Sequence, residues 1–114
     1  MEIKDCSFGR IKIDGQEYTR DVIIYPNRID STWWRKDGHR LQIEDIGDIL
    51  EAKPDVLVVG TGQYGNMKID KEVEYLLLSK GMELRSAATP EACQIHNRLI
   101  KSKKIVVTAL HLTC

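Results

Sequence analysis

Short stretches in the first third of the chain alternate hydrophobic and polar residues, which is typical of β-strands that bury one face. Ile11 and Ile13 alternate with charged residues, and the Asp14-Gly15 pair that follows supplies the positive φ angles of a two-residue hairpin turn. We predict that the partner strand occupies residues 16–25, where a proline stops it. A third extended stretch is predicted at residues 29–35. Together these patterns indicate an antiparallel β unit.

The hydrophobic spacing changes after residue 42. Ile43, Ile46 and Ile49 recur at helical spacing, and Pro54 ends the predicted helix. The continuous apolar run at residues 55–59 is bounded by proline and glycine, which is typical of a central strand buried on both faces. This strand leads into a glycine-rich loop, residues 60–65.

Two further helices and two further strands are predicted in the last third of the chain. Asp70 is the predicted cap of a helix that Gly81 ends. Residues 82–84 form a short strand. The Thr89 hydroxyl is predicted to cap the next helix, because a proline follows it at the first helical position. The final strand is predicted at residues 105–112.

The order of these elements from residue 43 onward is α-β-α-β-α-β. Such alternation implies a mostly parallel sheet covered by helices, to which the N-terminal unit adds antiparallel strands. No Pro/Gly/Ser-rich linker or internal repeat divides the 114 residues. We therefore predict one α/β domain over residues 1–114, with a β-rich part at 1–42 and an alternating α/β part at 43–114.

Composition and charge exclude several classes of protein. Hydrophobic residues make up 42% and charged residues 30% of the chain, as in ordinary globular proteins. Lys and Arg balance Asp and Glu at 17 each, so neither nucleic acid nor an anionic membrane is a predicted partner. The N-terminus has no apolar signal core, and the longest apolar runs are strand-sized. These features predict a soluble cytoplasmic protein.

The three cysteines, Cys6, Cys93 and Cys114, lie far apart in the sequence. None has the CxxC or Cys/His spacing of a zinc site, so no metal is predicted. An unpaired set of this kind suits a reducing compartment. No cofactor is predicted either.

Several residues resemble the Mth-type domain family of unknown function. They are Trp33-Trp34-Arg35, Gly38-His39, the buried strand with its Gly60-Thr61-Gly62 loop, Thr89 with Ala92 and Asn97, and the final His111-Leu112-Thr113-Cys114. The likeness runs from Cys6 to Cys114. The family's named members include the adipogenesis-associated Mth domain-containing protein and, distantly, mitochondrial complex I assembly factors. The resemblance implies a three-layer α/β domain with a mixed sheet and an extra β layer, and it implies no catalytic residue.

The loop at residues 60–65 fits the G-x-G-x-x-G pattern of dinucleotide sites. Against that interpretation, the next helix is predicted to begin near Asp70, about a turn too late. The acid that would hold the ribose, Glu83, lies in the middle of a predicted strand. Two interpretations stay open: a tight strand exit that needs small residues, and a small-molecule or anion site. The candidate ligands from the loop are Gly60, Thr61, Gly62 and Gly65.

Three basic residues extend this candidate site. His111 lies at the carboxyl end of the last predicted strand, where α/β proteins commonly bind ligands, and Arg35 and His39 are its candidate neighbours. The alternative is a structural histidine that donates to a backbone carbonyl. Cys114 is not predicted to act with His111, because strand residues three positions apart point to opposite faces.

Trp33 and Trp34 cannot both be buried on one side of a strand. One of them is therefore predicted at the surface or across a cleft, where it forms with Arg35 and His39 a wall for an anion or a partner protein. Capping the edge of the core is the simpler interpretation.

No Ser/His/Asp set, paired carboxylates or HExxH motif is present. We therefore favour a non-catalytic protein-binding or assembly module over an enzyme. The family's link to assembly factors supports this choice only by analogy. The alternative hypothesis is a small-molecule or anion-binding protein, with or without catalysis, whose pocket lies at the 60–65 loop.

Overall fold

Ten strands and three α-helices follow one another along residues 1–114 of the computed structural model. The strands are β1 (Ile3–Ser7), β2 (Arg10–Ile13), β3 (Gln16–Tyr18), β4 (Val22–Ile24), β5 (Ile29–Asp30), β6 (Arg40–Leu41), β7 (Val56–Thr61), β8 (Lys68–Ile69), β9 (Glu83–Ala87) and β10 (Val106–His111). The α-helices are α1 (Gly47–Ala52), α2 (Lys71–Ser79) and α3 (Thr89–Leu99), and a 3₁₀ helix, Ile43–Ile46, precedes α1.

The central sheet has five strands in the order β5-β4-β10-β7-β9. β7 pairs in parallel with both β10 and β9, whereas β4 pairs antiparallel with both β10 and β5. Strands β1, β2 and β3 form a separate antiparallel sheet. The predicted mixed sheet with an antiparallel N-terminal unit is therefore confirmed. A small parallel pair, β6 with β8, was not predicted.

Two hydrophobic cores lie on opposite faces of the central sheet, because successive side chains of a strand alternate between faces. On one face, Leu57 and Val59 join a core of 14 buried residues that includes side chains of α1 and α2. On the other, Val56 and Val58 join a core of 13 that includes α3 and the three-stranded sheet. These four side chains are at most 1% exposed, which confirms the predicted buried central strand and the three-layer arrangement.

Three predicted elements differ from those observed. The predicted strand at residues 16–25 is two strands, because the chain leaves the three-stranded sheet after β3 and joins the central sheet at β4. The extended stretch at 29–35 pairs only along β5. The predicted helix after residue 42 is a 3₁₀ helix followed by the short α1. Hydrophobic pattern indicates burial, but it does not show which sheet receives a strand.

The ends of α2 follow the predicted signals. Asp70 is the residue before α2, and Gly81, with a φ of +73°, lies just beyond its end. The Asp70 carboxylate pairs with Arg40 Nε at 2.7 Å, however, rather than with a helix amide. Glu83, predicted in the middle of a strand, is the first residue of β9. No helix in the structure has the length and apolar character needed to cross a membrane.

The prediction for Thr89 was wrong, because the residue before α3 is Ala88 and Thr89 is already helical. The Thr89 hydroxyl donates to the carbonyl of His111 at 2.6 Å and accepts the amide of Gly62 at 2.9 Å. It thus joins α3 to the carboxyl ends of β10 and β7 instead of capping its own helix.

Candidate functional site

The carboxyl ends of three parallel strands meet at one edge of the central sheet. His111, the last residue of β10, is in register with Thr61, the last residue of β7, and Ala87 ends β9 beside Gly60. The chain after β10 then turns across this edge. Predicted site residues from the glycine loop and from the end of the last strand are thereby brought to one place.

Arg35, Asp21 and His111 form a largely buried cluster at this edge. Asp21 Oδ2 lies 2.8 Å from Arg35 Nη2 and 2.8 Å from His111 Nδ1. The second carboxylate oxygen, Oδ1, accepts the amide of Leu112 at 2.8 Å. The Arg35 and His111 side chains are 4% and 7% exposed, so the carboxylate balances a guanidinium that water hardly reaches. We call these three side chains the Arg–Asp–His cluster.

The hydrogen-bond donors of the cluster follow from the chemistry of each group. The two hydrogens on Nη2 of Arg35 point to Asp21 and to the carbonyl of Gly38, the latter at 3.0 Å. Nη2 also lies 3.0 Å from His111 Nδ1, but it has no third hydrogen for that nitrogen. Because an ionised carboxylate only accepts, His111 donates from Nδ1 to Asp21. Burial raises the pKa of Asp21, but the hydrogen bonds from His111, the Leu112 amide and Arg35 together outweigh it and leave that pKa below its ordinary value.

Several polar atoms of the cluster have no hydrogen-bond partner within the protein. They are Nε and Nη1 of Arg35 and Nε2 of His111, and all three are buried. The plane of the Arg35 guanidinium lies against Trp33, with its central carbon 4.6 Å from the ring centroid. One half of the guanidinium therefore has spare donors in a place where unpaired donors are costly.

His39 and Cys114 lie beside the cluster but are not part of it. The His39 ring is exposed and meets His111 edge-on, with 6.1 Å between ring centroids. Cys114 Sγ lies 3.6 Å from His39 Nε2. Since β10 ends at His111, the strand alternation used to separate His111 from Cys114 does not extend to the last residue.

Amides of the glycine loop, and that of Asn66 directly after it, donate to the protein's own oxygens. Gln63 donates to the carbonyl of Thr113 at 2.7 Å, Asn66 to that of Cys114 at 3.1 Å, and Gly65 to that of Gly62 at 3.1 Å. The Gly62 amide donates to the Thr89 hydroxyl. In this structure the loop holds the C-terminal segment, which agrees with the interpretation of a tight strand exit.

Gly62 shows how closely the loop approaches that segment. Its φ is +106°, and a Cβ there would lie 2.5 Å from the carbonyl carbon and oxygen of Cys114 and 3.0 Å from His111 Cδ2. No side chain fits in this position. Gly62, which was predicted as a ligand, therefore allows the loop and the C-terminal segment to pack closely, backbone against backbone.

The two tryptophans have opposite environments. Trp33 is 9% exposed, and its indole nitrogen donates to the carbonyl of Asp45 at 3.1 Å. Trp34 is 76% exposed. Both line a shallow depression of about 240 Å³, which we call the acidic hollow. Its other residues include four with carboxylates: Asp30, Glu44, Asp45 and Asp48.

The four carboxylates of the acidic hollow differ in their contacts. Asp30 accepts from the amide and hydroxyl of Thr32, and Asp45 accepts the amides of Lys36 and Gln42. Glu44 and Asp48 are exposed and form no ion pair. Two negative charges beside Trp34 therefore remain open to a partner.

The structure thus brings Arg35, His111 and Gly62 together and places His39 at the margin of the Arg–Asp–His cluster. Trp34 lies on a different surface, the acidic hollow. Sequence reasoning missed Asp21, which lies 90 positions from His111. Its only local signal is a charged residue directly before an apolar strand. No group of three or more His, Cys, Asp or Glu side chains is arranged to hold a metal ion.

The protein is a small α/β domain with three layers and a mixed central sheet, and its C-terminal segment lies against the glycine loop at one edge of that sheet. Residues 3–111 match the family described as a protein of unknown function, DUF498/DUF598. The chain belongs to this family. The predicted Mth-type domain of unknown function is thereby confirmed.

Solved structures of similar proteins share this fold. A conserved hypothetical protein, PH1505 from Pyrococcus horikoshii OT3, is 33% identical, with a TM-score of 0.85 over 100% of both chains. The protein MT938 is 23% identical, with a TM-score of 0.80 over 99% of this chain and 98% of the other. A Mth938-like domain from Bordetella pertussis shares the fold at 15% identity and a TM-score of 0.62, over 96% of this chain and 84% of the other.

Proposed function

We propose that this protein is a non-catalytic binding module that docks a protein partner through Trp34 and the acidic hollow. The exposure of Trp34, 76%, is the observation that carries the proposal. A tryptophan side chain is costly to leave in water, and tryptophan is strongly enriched at the energetic centres of protein interfaces. The partner supplies the apolar cover that this chain does not.

The charges of the hollow select the chemistry of the partner. Glu44 and Asp48 are exposed carboxylates without an ion pair, and they line the same depression as Trp34. A segment that carries Lys or Arg next to an apolar side chain matches both features, because a cation binds a carboxylate and also the face of an indole ring. The predicted occupant is therefore a basic, partly apolar peptide segment.

The Arg–Asp–His cluster supports the non-catalytic part of the proposal. Its charged groups pair with one another, and no thiol or hydroxyl lies within hydrogen-bond distance of the unpartnered His111 Nε2. Nucleophilic catalysis by a side chain of this cluster would need a thiol or hydroxyl next to such a base. The cluster is better suited to fixing the C-terminal segment.

The test uses a synthetic peptide array in which Lys or Arg is paired with Leu or Phe. A matched array has Glu in place of each Lys or Arg. The basic array binds the wild type, and Trp34→Ala weakens binding at least about tenfold. Tyr75→Ala is the matched control, because Tyr75 is 72% exposed but lies on α2. Equal binding of both arrays, or an equal loss of peptide binding in the two variants, would contradict the proposal.

A second candidate function is the binding of a small anion at the Arg–Asp–His cluster. The unpartnered Nε and Nη1 of Arg35 and Nε2 of His111 favour it. The ligands proposed are Arg35 and His111 with His39 beside them, at the edge formed by Gly60, Thr61, Gly62 and Gly65. Most of the loop amides already have acceptors, so the side chains would supply the charge-assisted hydrogen bonds.

Thermal denaturation with phosphate, acetate and citrate tests this second function. An anion at one hundred times its dissociation constant adds about 2.7 kcal/mol to the stability. Arg35→Met removes that gain, whereas the exposed neighbour Lys36→Met, as control, retains it. An unchanged melting temperature with all three anions counts against an anion site.

A further inference from the structure

Two cysteines that are 87 positions apart in the sequence meet in the fold. Cys6 lies on β1, and Cys93 lies in the second turn of α3. Their Sγ atoms are 3.0 Å apart, about 1 Å more than the length of a disulfide bond. The two thiols are therefore close enough to be joined by a small movement of one side chain.

The two thiols differ in exposure and in their hydrogen bonds. Cys6 is half-buried, whereas Cys93 is 4% exposed. The Cys93 thiol donates to Cys6 Sγ, which also accepts from Nε2 of Gln63 at 3.6 Å. Both donors stabilise negative charge on the sulfur of Cys6, and Cys6 is the more exposed of the two residues.

We propose that Cys6 and Cys93 form a thiol–disulfide exchange site whose substrate is a small disulfide. Cys6 is the attacking thiol and Cys93 is the resolving thiol. The hydrogen bond from Cys93 lowers the pKa of Cys6, against the effect of burial, to about 7. The same contact, together with burial, raises the pKa of Cys93. A thiol whose pKa lies near the ambient pH is the most effective attacking group.

The reaction proceeds in two exchange steps. The Cys6 thiolate attacks one sulfur of the small disulfide, a mixed disulfide forms, and the other half leaves as a thiolate. This thiolate takes the proton of Cys93, whose sulfur then attacks Cys6 and expels the second half as a thiolate, which takes a proton from water. Two protein thiols are oxidised by two electrons to one disulfide, and one small disulfide is reduced to two thiols.

The first experiment follows this exchange by mass spectrometry, with oxidised glutathione as the probe. All proteins carry Cys114→Ser, so that the third thiol does not compete, and remaining thiols are blocked with a maleimide. The parent, which carries Cys114→Ser alone, loses two hydrogens as its disulfide forms, and it then binds no maleimide. With Cys93→Ser added, the reaction stops at a glutathione adduct on Cys6. With Cys6→Ser added, Cys93 reacts at least about tenfold more slowly, because it is buried.

The first experiment overturns the proposal if the parent keeps both thiols or stops at the glutathione adduct. An equal rate for Cys93 in the absence of Cys6 would also overturn it, since Cys6 would then not be the attacking group.

The second experiment measures how the rate of Cys6 alkylation by iodoacetamide depends on pH. Cys93→Ala removes the donor and raises the midpoint by about one pH unit, whereas Cys93→Ser keeps a hydroxyl donor and restores part of the shift. If the alanine and serine variants have the same midpoint as the parent, Cys93 does not activate Cys6. Two cysteines that only pack against each other would give that result.

Discussion

At Asp21 a single carboxylate connects three segments of the chain. It accepts from Arg35 and His111, and its second oxygen accepts the amide of Leu112. Removing its charge leaves a buried guanidinium without its counterion. Breaking one partner of a buried ion pair commonly costs more than the pair contributes, because the remaining charge stays buried.

Asp21→Asn is therefore expected to lower the free energy of unfolding by about 3 kcal/mol at pH 7. The folded pKa of Asp21 is below its unfolded value, so its stabilisation is complete well above about pH 4 and is lost as the pH falls through the folded pKa. The difference between wild type and variant therefore shrinks on acidification. Urea denaturation at several pH values between 7 and 3 measures it.

Asp5→Asn is the matched control for this prediction, because Asp5 is an exposed carboxylate on β1. Its substitution is expected to change the stability little. A difference between wild type and Asp21→Asn that stays constant from pH 7 to pH 3 would contradict the role given to the carboxylate.

Among the elements, the glycine loop and the C-terminal segment depend on each other. Gln63 and Asn66 donate to the carbonyls of Thr113 and Cys114, and Thr89 ties α3 to both β7 and β10. The G-x-G-x-x-G pattern therefore has a structural explanation. Its glycine at position 62 is needed for a positive φ and for close contact with another part of the backbone.

Gly62→Ala is expected to cost about 3 kcal/mol, because a methyl group adds overlap with Cys114 to an unfavourable φ. Gly15→Ala separates the two effects. Gly15 has a φ of +83° with no heavy atom within 4 Å of the added Cβ, so its cost is about 1 kcal/mol. Urea denaturation gives both values, and hydrogen exchange of the Gln63 and Asn66 amides reports the release of the segment. Equal costs for the two variants would argue against the contact.

In the whole molecule, the central sheet joins two cores into one unit. β7 and β10 alternate side chains between them: Val107 and Ala109 face the core with α1 and α2, whereas Val106 and Leu110 face the core with α3. Any loss of packing on one face of the sheet therefore destabilises strands that also contribute side chains to the core on the other face. We expect the two cores to unfold together.

Leu110→Ala tests this expectation, since Leu110 is fully buried in the core with α3. The change is expected to cost about 2–5 kcal/mol. Trp33 reports the opposite core, and a Trp34→Phe background isolates its fluorescence. The unfolding midpoint by Trp33 fluorescence should shift as far as the midpoint by circular dichroism. A fluorescence midpoint that stays in place would mean that the cores unfold separately.

The sequence by itself determined most of the elements and the class of fold. Residues 55–59, the helix after Asp70 and the final strand were predicted because periodicity, proline and glycine act over a few neighbouring residues. The boundary between β3 and β4 was missed, since a switch of sheet leaves no mark in the hydrophobic pattern. The family resemblance, carried by residues such as Trp33 and Gly62, was equally visible.

Only the tertiary structure decided which side chains act together. Asp21 meets His111 across 90 positions, and Cys6 meets Cys93 across 87. Neither pair has a characteristic spacing, because the order of the strands in the sheet, and not distance along the chain, brings its members together. The same applies to the exposure of Trp34 and the burial of Trp33: alternation predicted that one is exposed, but the packing of the sheet against the 3₁₀ helix and α1 decided which one.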